Sequence, residues 1–280
     1  MRRIITLIIF LLLFQISPAA PGGEYPARIL SLSPSITEIL YELGLGDRII
    51  GVTDYCVFPE EAKYKPKVGG YLDTNYEAVI LMDPELVIMP AEYGSEVEGI
   101  FDGAGIAHMT VDTSTVSGIL DSVIRIGSRS GAGDEADGIV RRIREEISDL
   151  RKKAQDSPRR RVMIVVGRDA GSFDNLYIAG RDTFYGELLD ILGCENVCSM
   201  SGIDYPAVSI EGVIRFNPEI IIEMLPGCPE EKKSDIVKEW GLLKEVEAVK
   251  RGKIYVFNAD YACVPGPRFI SILRDISEVL

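Results

Sequence analysis

Short apolar runs bounded by turn residues alternate along this chain with stretches whose apolar positions recur at helical spacing, the pattern of successive β–α units. Arg28 to Leu32 and Ile49 to Thr53 read as strands; between them Ser33-Pro34-Ser35 is a turn and Thr37 to Leu43 a short amphipathic helix ended by Gly44. Asp54 to Gly70 carries Pro59, Pro66 and paired Gly69-Gly70, which predicts an irregular loop. Asn75 is placed to cap a helix over Tyr76 to Met82, and Leu86 to Met89 is a buried strand after Asp83-Pro84. Phe101 to Gly105, His108 to Val111 and Ser117 to Ser128 continue the alternation.

The rhythm changes at Gly131. From Asp134 to Ala154 the apolar positions Ile139, Ile143, Ile147 and Leu150 form one stripe against a charged face, which predicts a single long helix. Ser157-Pro158 ends it, and the arginines at 159–161 read as a solvated face. A second set of units follows: a strand over Val162 to Val166, a Gly-containing loop to Gly180, and a helix over Thr183 to Leu192. Segments Val208 to Arg215, Glu219 to Met224, Ile236 to Leu243, Lys253 to Phe257 and Phe269 to Leu280 complete it.

The two sets repeat one another. Asn75-Tyr-Glu77-Ala-Val leads to Asp83-Pro84-Glu-Leu-Val-Ile88, and Ser209-Ile-Glu211-Gly-Val leads to Asn217-Pro218-Glu-Ile-Ile-Ile222. The offset is 134 for the glutamates (211 − 77) and 134 for the prolines (218 − 84). Two equivalent lobes are the simplest source of such a pair. The expected fold is therefore α/β, two Rossmann-like lobes with mainly parallel sheets joined by one long rigid helix. The expected divisions are an N-terminal lobe over 25–130, a connecting helix over 131–157 and a C-terminal lobe over 158–280.

The first residues stand apart. Arg2 and Arg3 precede the apolar run from Ile4 to Phe14 and then Ser17-Pro18-Ala19-Ala20, the layout of an export signal over residues 1–20. Its loss removes two positive charges and takes the formal net charge from −13 to −15. A surface this acidic argues against nucleic acid or anionic membrane as partners. Export permits disulfides, and one pair among Cys194, Cys198 and Cys228 is allowed by position; Cys56 and Cys263 complete an odd set. The spacings match no cysteine framework for a metal, and His108 is the single histidine, so no metal site is expected.

No catalytic constellation emerges. Ser33 and Ser35 stand where hydroxyls cap a helix, without a nucleophile elbow, and the Gly-rich loops lack both the phosphate-loop lysine and dinucleotide spacing. Aromatics in the irregular segments fit binding better: Tyr55, Tyr71, Tyr93, Phe173, Tyr177, Tyr205 and Tyr261 fall near strand ends, where sheets of this kind hold ligands. Arg268, after Pro265-Gly-Pro267, is a candidate for a ligand carboxylate, phosphate or amide, or for pairing with a nearby acid.

Arg28-Ile-Leu-Ser-Leu-Ser-Pro-Ser35, Gly51-Val-Thr-Asp-Tyr-Cys56 and Pro66-Lys-Val-Gly-Gly70 resemble the N-terminal lobe of periplasmic binding proteins for vitamin B12 and ferric siderophores. Gly180-Arg-Asp-Thr-Phe184, Gly193-Cys-Glu-Asn-Val197 and Pro265-Gly-Pro-Arg268 resemble their C-terminal lobe. The resemblance implies a monomeric, non-enzymatic protein of the periplasm or outer face of the cytoplasmic membrane. It would carry cobalamin or a related corrinoid, or alternatively a ferric siderophore or haem, to the permease dimer of an ABC importer, with no cofactor of its own. Glu77 and Glu211 match the glutamates by which each lobe docks on the transporter. Tyr55, Tyr71, Tyr93, Tyr205, Asp260, Tyr261 and Arg268 are the expected ligand contacts. Tyr71 and Tyr205 stand where the vitamin B12 binders often carry tryptophan, and Pro90 matches another tryptophan position; Trp240 reads as structural.

Overall fold

The computed structural model describes residues 25–280 except Leu72, Asp156, Ala170, Asp174 and Ser201; the leader expected over 1–20 lies outside the described residues. The N-terminal lobe runs β1 (Ile29–Ser31), α1 (Pro34–Glu42), β2 (Ile49–Val52), α2 (Tyr76–Leu81), β3 (Leu86–Pro90), α3 (Gly94–Ala104), β4 (His108–Val111) and α4 (Val116–Ser130). After α5 (Gly133–Gln155) come β5 (Arg161–Gly167), β6 (Leu176–Ile178), α6 (Phe184–Ile191), β7 (Glu195–Asn196), β8 (Ala207–Val208), α7 (Ile210–Phe216) and β9 (Ile220–Met224). The chain ends with α8 (Glu230–Trp240), α9 (Glu247–Lys250), β10 (Ile254–Phe257) and α10 (Phe269–Val279).

The first sheet is parallel in the order β2-β1-β3-β4. The second has the order β10-β9-β5-β6-β8; β7, β9 and β10 continue it in parallel fashion, while β6 and β8 add antiparallel strands. The central strands β3 and β9 are buried along their length because helices cover both faces, and are apolar but for Glu223, so no polar alternation is required. The antiparallel β6 lies inside the segment read as loop. Two or three residues per strand are too few for a periodicity to show.

The repeat extends to the backbone. β3 and β9 occupy residues displaced by the same 134 positions (220 − 86, 224 − 90). Asp83 and Asn217, again 134 apart, both adopt the left-handed region, at φ 47° and 42°, in the turn before the proline. In each lobe an arginine at the start of the first strand reaches that turn. Arg28 donates to the carbonyls of Met82 and Asp83, and Arg161 to those of Phe216 and Asn217. These carbonyls lie at a helix C-terminus, without an intrahelical donor, so a guanidinium satisfies them. The acid after the proline completes the arrangement: Glu85 accepts from the Ala27 and Arg28 amides, and Glu219 from the Arg161 amide at 3.0 Å.

α5 buries Ala136, Ile139, Val140, Ile143, Ile147 and Leu150, the stripe expected from the sequence. It packs on α4, α6 and α10, so elements of both lobes share its apolar face. Gly127 makes the α4–α5 turn close: a Cβ there would lie 2.5 Å from the Ala136 Cβ and 2.7 Å from the Ala132 carbonyl oxygen. One continuous core results, from Ile29 and Ile36 through Ile143 to Val162 and Phe269. The five cysteines are free, so the pair allowed among Cys194, Cys198 and Cys228 is not formed.

Candidate functional site

A cleft separates the lobes at the carboxyl ends of their parallel strands, where loops leave the sheets and backbone groups are not used in the ladders. It contains two hollows. The larger, of 540 Å³, has Glu92, Thr113 and Ser114 of the N-terminal lobe on one wall; the other is formed by Val166, Asp182–Tyr185, Asp204, Tyr205, Cys263 and Pro265. The smaller, of 240 Å³, adds Ser33–Ser35, Tyr71, Pro90 and Val264, and shares Glu92, Thr113, Cys263 and Pro265 with the first. The shared residues make the two hollows parts of one site.

Local structure fixes these walls. Ser33 caps α1, its Oγ accepting from the Ile36 amide at 3.3 Å and lying 2.7 Å from the Ser35 Oγ. Thr183 caps α6 in the same way, accepting from Gly186. Tyr185, the second residue of α6, donates from its buried hydroxyl to the Ala262 carbonyl at 2.6 Å and so anchors the segment of chain that bears Cys263. Burial first, and then the neighbouring Cys263, pushes that phenol far above its ordinary range. Burial also raises the Cys263 thiol, and burial with the Asp204 charge raises Tyr205, so both present protonated groups at neutral pH.

The expected ligand contacts divide. Tyr71 and Tyr205 line the cleft, with about two-fifths of each side chain exposed. Tyr93 stands behind Tyr71, edge-on with ring centroids 5.0 Å apart, and its hydroxyl donates to the Leu32 carbonyl at 3.3 Å. Burial pushes its phenol up to about 12. Tyr55 is 68% exposed near Gly70 and lines neither hollow.

Asp260, Tyr261 and Arg268 belong to a different arrangement. Arg268 reaches across from the C-terminal lobe to buried Glu38 on α1, with its Nε 3.0 Å from Glu38 Oε2, and its Nη1 lies 3.0 Å from both Asp260 oxygens. Phe58 covers the guanidinium with its ring centroid 3.6 Å away. Tyr261 donates to Asp275 at 2.8 Å. Arg268 thus takes the pairing half of its expected alternatives, and its partner lies in the other lobe. It borders a separate hollow of 680 Å³ on the outer flank of α1, together with Glu38, Glu42, Asp47 and Glu61. That hollow is larger than either hollow of the cleft but lies away from the strand ends.

Two further aromatics leave the binding set. Phe173 is buried against Trp240, ring centroids 4.8 Å apart, and Tyr177 lies exposed on β6, between β5 and β8. The cleft residues that sequence reasoning passed over are Glu92, Thr113, Ser114, Asp182, Asp204 and Cys263. Among 43 acidic residues nothing local marks the three carboxylates, which come together only through topology.

Glu77 and Glu211 are exposed at the second position of α2 and α7. Asn75 Oδ1 accepts from the Ala78 amide at 2.9 Å and Ser209 Oγ from Gly212 at 3.3 Å, so each glutamate leaves a helix start held by a side-chain cap. The Glu211 carboxyl is lowered by its own backbone amide and then by Ser209. Both helices run against the strands they precede, which puts their first turns at the cleft end of each sheet. Ile80 and Ile214, a turn further along, are also matched in place and in exposure, at 37% and 36%.

Two α/β lobes on a shared helix, with a cleft of hydroxyls, carboxylates and aromatic edges between them, define a binding protein rather than an enzyme. The chain belongs to the periplasmic binding protein family, whose sequence profile matches residues 29–261. It is 30% identical over 260 residues to the uncharacterized ABC transporter substrate-binding lipoprotein YvrC of Bacillus subtilis, covering 90% of this chain and 79% of that one. It is 28% identical over 261 residues to the vitamin B12-binding protein of Vibrio parahaemolyticus, covering 92% and 90%. The structure of the periplasmic haem-binding protein HutB of Vibrio cholerae shares the fold, with a TM-score of 0.79 at 18% identity over 90% of this chain and 98% of that one. Among the described residues no helix is long and apolar enough to cross a membrane, and no group of His, Cys, Asp and Glu is arranged to hold a metal ion.

Proposed function

We propose that this protein is the exported solute-binding component of an ABC importer, holding a corrinoid of the cobalamin type in the inter-lobe cleft. The observation that carries the choice of ligand is the cleft lining. Among the described residues it offers hydroxyls, carboxylates and the rings of Tyr71 and Tyr205, with no lysine, arginine or histidine. A corrin is a broad ring fringed by carboxamides, whose N–H groups suit such acceptors. Laid across the wall that the hollows share, it would seat peripheral groups in each. An anionic ferric chelate or the propionates of haem would call for cations, for which arginine is the usual partner. The kinship to vitamin B12-binding proteins over nine-tenths of the chain supports the same reading.

Delivery follows from the repeat. A monomer presenting Glu77 and Glu211 at matched places offers one carboxylate per lobe to the two subunits of a permease dimer. The deciding experiment is calorimetric titration of the mature protein with cyanocobalamin, beside haem and a panel of ferric siderophores. One-to-one saturation by cyanocobalamin is the expected result; saturation by haem or an iron chelate with no heat from cyanocobalamin would move the protein to iron uptake.

A further inference from the structure

We infer that the cleft discriminates among corrinoids by charge and prefers one that lacks the nucleotide phosphate. This rests on the corrinoid reading above. Glu92 faces both hollows and Asp182 and Asp204 face the larger one. Among the described residues none of the three forms an ion pair. Of the nearby arginines, Arg168 is committed to Glu223 and Glu239 and Arg268 to Glu38 and Asp260, while Arg181, exposed beside Asp182, lines neither hollow. Lys67 donates to the carbonyls of Thr53, Cys56 and Ala62.

Three like charges therefore converge on one cavity without a counter-ion, and apolar walls such as Val166, Phe184 and Pro265 concentrate their field there. The carboxamides around a corrin meet this field equally whatever the lower ligand. The phosphate of the nucleotide loop does not: it adds a negative charge for which the lining of the two hollows holds no cationic side chain. A corrinoid without the loop is one unit more positive at the same upper ligand, so it gains attraction and avoids repulsion. Each carboxylate is solvent-exposed, so each contributes only a few-fold, and together they favour the phosphate-free form by about tenfold at low salt.

The test is parallel titration of the mature protein with aquacyanocobinamide and cyanocobalamin, at low and at high salt. It is repeated on the variant Glu92→Gln/Asp182→Asn/Asp204→Asn, whose thermal melt checks its fold. Tighter cobinamide binding, by about tenfold at low salt, shrinking with added salt and lost in the triple variant, is the expected result. Equal affinities in the parent protein, or tighter cobalamin binding, would overturn the inference and leave the corrinoid reading standing. A preference that survives in a folded triple variant would overturn the assignment to these carboxylates. Binding of neither corrinoid would remove the corrinoid reading itself, and the inference with it.

Discussion

At the centre of the N-terminal repeat, β3 carries Met89; 134 positions on, β9 carries Glu223 at the same place in the strand. Met89 is buried beside Phe101 and Val68 in an apolar cluster. Glu223 is equally buried, and its site is built around its charge. Arg168 Nε lies 2.8 Å from Glu223 Oε1, and Trp240 Nε1 donates to Oε2 at 2.8 Å; Glu239 takes the other edge of Arg168, whose guanidinium also lies 5.4 Å from the Phe173 ring. The same backbone unit is thus filled once by dispersion and once by a desolvated ion pair. What the lobes have in common is the frame of capped helix, left-handed turn, proline and strand, closed by Arg28 or Arg161; the filling is free to differ.

The largest effect should test the equivalence of the outer faces. Charge reversal of both glutamates proposed for docking, Glu77→Lys with Glu211→Lys, is expected to abolish uptake in whole cells while calorimetric ligand affinity stays as it was. The single reversals should weaken uptake to the same degree; a lobe whose reversal left uptake untouched would break the symmetry. Next, Arg168→Met leaves Glu223 buried without a counter-charge and should cost about 3–5 kcal/mol in denaturant unfolding. Adding Glu223→Met copies the N-terminal lobe and should recover most of that loss; failure to recover would mean that the C-terminal frame, unlike its twin, requires the charge.

The smallest effect concerns the closing acid. The Arg161 amide, and then Arg160, outweigh burial and hold the Glu219 carboxyl below the usual glutamate range. A carboxyl lowered by folding stabilises the protein above its unfolded pKa, and that contribution disappears as pH falls through the folded value. Glu219→Gln should therefore be less stable by about 1 kcal/mol at neutral pH, with the two melting curves converging in acid. A constant gap across pH would assign the loss to packing instead.

Much of this frame is legible in the sequence, because it is written in local chemistry: Asn75 and Ser209 as caps, Pro84 and Pro218 as stops, and a single apolar stripe for α5. The helix starts that fall short have equally local reasons. α3 begins at Gly94 in a glycine- and glutamate-rich stretch, and α8 begins with Glu230-Glu-Lys-Lys233, which shows no apolar periodicity. The site is less legible. Arg268 looks like a ligand contact because its partner Glu38 lies 230 residues upstream, and nothing around either residue announces the other. Phe173 sits in a polar loop whose burial depends on Trp240, itself supplied by a later helix. Tyr71 and Tyr205 fall in the cleft because strand ends can be located without knowing what crosses from the other side.

The core that both lobes share, running from Ile36 through Ile143 to Phe269, has a consequence for the proposed delivery. Parting the lobes would expose that shared core to water, so the gap between Glu77 and Glu211 is set like the jaws of a locked caliper. A transporter that docked on those two points, as proposed, would measure the carrier and not its cargo. On that proposal, news of the cargo would have to come from the cleft itself, where Tyr71 and Tyr205 stand part-exposed.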